Sequence, residues 1–141
     1  MSFAKVYSAQ TTLLKAYIVS IEVDLSKGLH AFSIVGLPDK GVEEARDRIS
    51  AAVKNSGYAS PKSKNQKIVV SLAPADIKKE GASFDLGISM AYLLASGDIR
   101  FNPEKKIFLG ELSLNGELRR IDGVLPLVEE AKKKGFTEIF L

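Results

Sequence analysis

The sequence contains no cysteine and no tryptophan, and it has a single histidine. Disulfide bonds and thiolate chemistry are therefore excluded, which fits a cytoplasmic location. One histidine disfavours a metal site built on imidazole ligands. No apolar run approaches the length of a membrane-spanning helix, and the amino terminus lacks the charged-then-apolar pattern of a signal peptide. We therefore expect no resident metal and no association with a membrane.

The sequence also lacks the two common phosphate-binding patterns, Gly-x-x-x-x-Gly-Lys-Ser/Thr and Gly-x-Gly-x-x-Gly. The turn Gly36-Leu37-Pro38-Asp39 leads into a predicted helix, but a proline and an acidic cap suit an anion poorly. We therefore expect neither nucleotide hydrolysis nor a cofactor in this segment. Five carboxylates also follow no spacing typical of metal ligands; they are Glu80, Asp85, Glu111, Glu117 and Asp122.

The composition is that of one globular domain. The chain has 141 residues, of which 45% are hydrophobic, and this is enough to bury a core. A net charge of +3 and a pI near 9.1 permit contact with nucleic acid without demonstrating it. The last four residues, Glu138 to Leu141, have the pattern of the middle of a strand. We therefore expect the chain to be part of a longer protein.

The predicted fold is built around the segment from Lys67 to Ala95, which reads as a strand, a loop and a helix. Its apolar start, Ile68 to Leu72, predicts a strand covered on both faces and ending near Pro74. A polar loop follows. Apolar residues at helical spacing then predict a helix that Ser83 can cap, with Asp85 in its first turn.

The rest of the chain alternates between strand and helix patterns. An edge strand is predicted over 4–12, and residues 17–25 alternate cleanly and form a hairpin with a strand over 30–35. Three further elements carry clear local signals: a helix over 39–55, a hairpin turning at Asn115-Gly116, and a helix over 123–135. Strands over 106–111 and 136–141 complete the order βββ-α-β-α-ββ-α-β. This order predicts an α+β domain of two layers, a mixed sheet with helices packed on it.

Ser83 is the one candidate nucleophile. It lies at a loop-to-helix junction beside Lys78, Lys79, Glu80 and Asp85. A serine needs a base within hydrogen-bond reach before it can attack a carbonyl. The same position is equally typical of a helix cap, which is the reading that the residues favour.

Basic residues suggest a second function, nucleic-acid contact. Lysines that follow phosphates, next to an aromatic residue such as Tyr58, are typical of such a surface. A solvated surface gives the same pattern. The candidates are Lys62, Lys64, Lys67, Lys78, Lys79, Arg119 and Arg120.

Several motifs together resemble the magnesium-chelatase-like ATPases of the YifB or ComM competence family. The resemblance covers essentially the whole chain, in order, beginning with Met-Ser-Phe-Ala-Lys-Val-Tyr-Ser at the start. The other matching stretches are Phe32 to Pro38, Glu43 to Arg48, Val70 to Asp76, Lys79-Glu80-Gly81, Phe84-Asp85-Leu86, Phe108 to Leu112 and Gly116 to Arg119.

The resemblance implies an N-terminal domain with the fold of the Lon protease domain, shared with the RadA recombination protein. It also implies that the intact protein continues into an AAA+ ATPase module, which binds ATP and Mg²⁺, and a chelatase-like domain. Members of this type form hexameric rings that promote branch migration of DNA during natural transformation.

The likeness to Lon also bears on Ser83. In Lon the catalytic serine follows a Lys-Asp-Gly-Pro run, and Lys79-Glu80-Gly81-Ala82-Ser83 places Ser83 at that position. Lon's partner lysine follows a Gly-Gly-Leu turn, whereas the matching stretch here carries Leu125 and Pro126. Without a desolvated amine to accept its proton, Ser83 is expected to be inert.

Three functions follow from this reading. The first is a non-catalytic accessory domain of a DNA-processing AAA+ ATPase, serving ring assembly and DNA contact. The second is a Lon-like serine peptidase, and the third is a subunit of a magnesium chelatase acting on a porphyrin. The residues favour the first.

Overall fold

The computed structural model describes residues 2–12 and 15–141. Its elements follow the order βββ-αα-β-α-βββ-α-β, with a single 3₁₀ turn at Pro61–Ser63. The strands are β1 (Ser2–Thr12), β2 (Lys15–Lys27), β3 (Ala31–Val35), β4 (Gln66–Ala73), β5 (Lys106–Phe108), β6 (Glu111–Leu112), β7 (Leu118–Arg119) and β8 (Glu138–Phe140). The helices are α1 (Lys40–Glu43), α2 (Ala45–Asn55), α3 (Asp85–Ser96) and α4 (Val124–Lys133).

Six strands form one mixed sheet in the order β3-β4-β2-β1-β5-β8, and β6 and β7 form a separate two-stranded ribbon. Strand β2 is antiparallel to both of its neighbours, whereas β3 and β4, and likewise β1, β5 and β8, pair in parallel. Five strands of the sheet therefore run in one direction. The predicted α+β class, a mixed sheet with helices packed on it, is confirmed.

The main core lies between one face of the sheet and helices α2 and α3. The alternation predicted for β2 is confirmed, since Val19, Ile21, Val23 and Leu25 are all buried on this face. A smaller cluster, which includes Ala9, Ile107 and Leu127, lies under α4. Successive side chains of a strand point to opposite faces, so Ala9, three residues after Val6 of the main core, lies on the other face of the sheet. Helix α4 therefore packs on that other face, beside β1 and the start of β2.

Three predictions about the strands are wrong, two on pairing and one on burial. Strand β1 is not an edge strand, because it lies between β2 and β5. Strand β3 forms no hairpin with β2; it pairs in parallel with β4. Strand β4 is covered on one face only, and Val69 on the other face is 41% exposed. Its predicted end near Pro74 is confirmed, since the strand stops at Ala73.

Two predicted elements are divided in the structure. The helix expected over 39–55 is two helices that meet at Glu44, with Asp39 capping the first through the amide of Val42. The strand expected over 106–111 becomes β5 and β6. It is interrupted at Gly110, which leaves the sheet: its amide donates to Ser83 O and its carbonyl accepts from Leu86 N. The hairpin at Asn115-Gly116 is confirmed as the turn between β6 and β7.

Candidate functional site

Loops from several strands meet at the carboxyl edge of the sheet. In sheets of parallel strands, ligands bind at this edge because the connecting loops converge there. Here it carries residues 36–39 after β3, residues 74–84 after β4, and Gly110 after β5. Leu37 holds a left-handed backbone with φ of 57°, which is uncommon for a residue other than glycine.

Lys79 lies inside the protein at this edge. Its side chain is fully buried, and its Nζ donates to the carbonyl of Gly36, at 2.7 Å, and to the carbonyl of Pro74. Burial lowers the pKa of the Lys79 ammonium below its ordinary value of 10.5, while the carboxylate of Asp76 opposes the shift. The amine therefore joins the loop after β3 to the loop after β4.

Two more polar side chains hold the 74–84 loop. The carboxylate of Asp39 accepts from the Gly81 amide at 3.1 Å. The amide group of Gln10 donates to Lys78 O at 2.7 Å and accepts from Glu80 N at 3.1 Å. The loop that leads to Ser83 is thus tied to β1, to the start of α1 and to the turn after β3.

Ser83 has no basic partner in the part of the chain that the structure describes. Helix α3 begins after Phe84 with no side-chain cap, so the expectation that Ser83 caps this helix is wrong. Lys79, the neighbouring lysine in the loop, points its ammonium at Gly36 and Pro74. Leu125, one of the two residues that stand where the resemblance to Lon expects the lysine, is 68% exposed at the start of α4, and the other, Pro126, follows it in the helix.

A largely buried ion pair involves Asp85, two residues after Ser83. The carboxylate of Asp85 is inaccessible and receives Arg48 Nε at 2.7 Å and Arg48 Nη2 at 3.0 Å, with a third hydrogen bond from Leu112 N at 3.1 Å. Burial raises the pKa of Asp85, and the donors from Arg48 and Leu112 oppose that rise. The hydrogen bond to Asp85 raises the pKa of Arg48, which keeps its guanidinium charged. This pair fixes the start of α3 against α2 and β6.

The seven basic residues singled out from the sequence do not form one patch. Lys62 pairs with Asp47 at 3.0 Å, and Lys67 packs along Gly28 where β4 begins. Lys78 follows the other end of β4, about 25 Å away over eight extended residues. Arg119 lies 3.6 Å from Glu111, and Arg120 lies 3.9 Å from Asp122. Lys64 is half-buried beside Lys67 in the chain.

Lys79 requires a correction within this set. We expected it to be a loop lysine available to a phosphate, as Lys78 is. The structure places its ammonium in the interior, where two carbonyl groups occupy it. The other six residues remain at or near the surface.

Among residues 2–12 and 15–141, no group of three or more His, Cys, Asp or Glu side chains is arranged to hold a metal ion. No helix within the same residues combines the length and the hydropathy needed to cross a bilayer.

Apart from the cap at Asp39, no local sequence pattern indicates the residues that build this edge. Arg48 and Asp85 are 37 residues apart, and Gln10 and Lys78 are 68 apart. Glu44 and Arg48, four residues apart, also pair at 3.7 Å, but Asp85 is the closer partner of Arg48.

Comparison with known proteins identifies the family. A family model described as subunit ChlI of Mg-chelatase matches residues 21–141. The chain therefore belongs to the magnesium-chelatase-like family, and its relatives place it among the domains of the ComM/YifB type.

Three relatives illustrate that placement. The chain is 43% identical over 134 residues to competence protein ComM of Haemophilus influenzae, a match that covers 94% of this chain and 26% of that protein. It is 41% identical over 136 residues to YifB of Escherichia coli, covering 96% and 26% respectively. DNA repair protein RadA of Streptococcus pneumoniae is 35% identical over 65 residues, covering 46% and 15%. The chain thus spans about a quarter of the length of its ComM and YifB relatives.

Proposed function

We propose that this chain is a non-catalytic accessory domain of a DNA-processing ATPase of the ComM/YifB type, where it serves ring assembly and contacts DNA. The observation that carries this proposal is the position of the Lys79 ammonium. It donates to the carbonyls of Gly36 and Pro74 and is therefore not positioned to act as a general base for Ser83. A retained scaffold without protease chemistry fits an assembly role.

The names of two relatives support the link to DNA. One is a competence protein and another is a DNA repair protein. Because this chain spans about a quarter of the first relative, ATP and Mg²⁺ would be bound by other parts of the whole protein. That protein would form a hexameric ring in the cytoplasm, with the carboxyl edge of this domain held rigid by Lys79, Asp39 and Gln10.

The surface proposed for DNA contact is defined by six residues at three places on the domain. Lysines and arginines neutralise phosphates without reading sequence, so such a surface gives affinity that falls with salt. The residues are Lys62, Lys64, Lys67, Lys78, Arg119 and Arg120.

The proposal is tested by measuring duplex affinity of the chain as a function of salt. Replacing Lys62, Lys64 and Lys67 together by alanine should weaken binding about tenfold or more and flatten the slope of log K against log salt by about 3. A matched control replaces three other exposed lysines, Lys40, Lys54 and Lys132. If both triple variants retain the affinity and the slope of the unaltered chain, the proposed DNA contact is wrong.

A further inference from the structure

On the face of the sheet opposite the main core, a cavity of about 360 Å³ opens beside β1, the turn before β5 and the turn after α4. Two aromatic rings and two lysines contribute to its lining, with one carboxylate, Glu104. The lining residues are Tyr7, Glu104, Lys105, Lys134, Gly135 and Phe136. None of them belongs to the basic surface proposed above.

We propose that this cavity binds one nucleobase of a single-stranded nucleic acid, with Tyr7 and Phe136 stacking on the base and Lys105 and Lys134 meeting the adjoining phosphates. The inference rests on the proposed function in so far as it names DNA as the ligand. It adds to that function a defined binding site and a preference for single-stranded nucleic acid, neither of which the basic surface specifies.

The aromatic geometry suits a planar ligand. The rings of Tyr7 and Phe136 meet edge to face, with centroids 5.3 Å apart and planes at 67°. A base that stacks on one ring presents its own edge to the other, an edge-to-face contact of the kind that aromatic pairs prefer. Stacking tolerates any base because each has a π-face, so the cavity would select unpaired bases rather than a sequence.

The charges around the cavity favour a phosphate. Lys105 and Lys134 line it, and Lys5 Nζ lies 5.4 Å from the centroid of the Tyr7 ring. Against these three cations stand the carboxylate of Glu104 and that of Glu130, which lies 3.9 Å from Lys134. Among the residues that line the cavity, two lysines therefore stand against one carboxylate, Glu104. The volume also lies within the range of small-ligand sites.

The backbone of Lys105 supplies an independent observation. Its φ of 60° is left-handed, an unfavourable conformation for lysine. The conformation is held because the Lys105 carbonyl accepts from Thr137 N at 2.9 Å and from Glu138 N at 3.3 Å. Backbone strain that the surrounding structure enforces is concentrated at ligand-binding positions, and here it fixes the backbone of a lysine that lines the cavity.

The test uses the chain with a fluorescein-labelled oligothymidylate of about 12 nucleotides, a length within the usual site sizes of single-strand binders. Tyr7→Leu and Phe136→Leu remove the stacking rings while keeping apolar volume. Each should weaken binding about 5- to 100-fold, measured by fluorescence anisotropy. Aromatic variants that bind as tightly as the unaltered chain would overturn the proposal.

A second variant keeps the test valid if an aromatic replacement unfolds the chain. Asparagine tolerates a left-handed backbone, so Lys105→Asn removes the charge and keeps the fold. It should flatten the single-strand salt slope by about 0.7, whereas the matched control Lys54→Asn on α2 should leave it unchanged. Equal slopes for the two variants would contradict the role of Lys105.

The outcomes separate this site from the proposed function. If oligothymidylate binding depends on Lys62, Lys64 and Lys67 but not on Tyr7 or Lys105, DNA contact stands and the cavity proposal fails. If thymidine monophosphate binds through Tyr7 but the oligonucleotide does not bind, the cavity is a site for free nucleotides and its assignment to a polymer fails, whereas the DNA contact is decided by the duplex measurement above. If neither binds, the cavity proposal fails, and the DNA contact is decided by the duplex measurement above.

Discussion

The guanidinium of Arg48 holds the carboxylate of Asp85 with two hydrogen bonds, of 2.7 and 3.0 Å, across 37 residues of sequence. Arg48 also donates to Gly41 O at 2.9 Å, and Asp85 accepts from Leu112 N. The pair therefore connects α1, α2, α3 and β6. It is a polar link between the start of α3 and the rest of the helical layer.

Asp85→Asn is expected to destabilise the domain by about 3–5 kcal/mol, because it leaves a largely buried guanidinium without a counter-charge. Urea unfolding monitored by circular dichroism measures this change. Asp47→Asn is the control, since the Asp47–Lys62 pair is exposed and such pairs contribute little. Similar midpoints for the two variants would show that the buried pair does not stabilise the fold.

Lys79→Met should destabilise the domain, and the loss should depend on pH. The variant leaves the carbonyls of Gly36 and Pro74 without their donor, at a cost of about 1–3 kcal/mol. Burial lowers the pKa of folded Lys79 below the ordinary value of 10.5, so between the two values the unfolded chain binds more protons. The contribution of Lys79 to the free energy of unfolding therefore rises with pH between these two pKa values.

The corresponding measurement compares urea unfolding of both chains at neutral pH and near the ordinary lysine pKa. The free energy of unfolding of the unaltered chain should exceed that of Lys79→Met by a growing margin as pH rises. The hydrogen bonds persist when the ammonium loses its proton, because a neutral amine still has two N–H donors for two carbonyls. All other lysines are shared by the two chains, so their titration cancels. A difference in unfolding free energy that shrinks as pH rises would contradict the buried position of this amine.

Gly36→Ala should be far more damaging than Gly57→Ala. Both glycines hold positive φ, of 109° and 92°. A Cβ on Gly36 would overlap the backbone carbonyl of Leu72, whereas a Cβ on Gly57 would meet nothing within 4 Å. Gly57→Ala should therefore lose only the backbone term of about 1–2 kcal/mol.

Thermal unfolding by calorimetry compares the two glycine variants directly. The Gly36 variant should melt well below the Gly57 variant, because β4 would have to move to relieve the overlap. Equal melting temperatures would mean that the turn after β3 can rearrange freely and that the loop edge is not rigid.

The sequence predicted the elements whose signals are local. The alternation from Val19 to Leu25 and the Asn115-Gly116 turn both appear as predicted, because each depends on neighbours in the chain. The partner of β3 could not be predicted, since parallel pairing with β4 joins residues more than 30 positions apart. Local patterns do not encode such pairing.

The candidate site was less accessible to prediction than the fold. Lysines are almost never fully buried, so the sequence predicts a surface position for Lys79 as for Lys78. Its burial depends on two carbonyls, Gly36 O and Pro74 O, which come together only in the folded sheet. Ser83 was placed correctly at the loop-to-helix junction, but the helix begins after Phe84 without using its hydroxyl.

The central claim is that Ser83 has no amine to activate it, and covalent labelling tests this most directly. The chain is incubated with a serine-directed acylating probe, with an active serine peptidase as the positive control, and adducts are located by mass spectrometry. The account predicts no adduct at Ser83 under conditions that fully label the control. An adduct at Ser83, lost in Ser83→Ala, would contradict it and establish a nucleophilic serine.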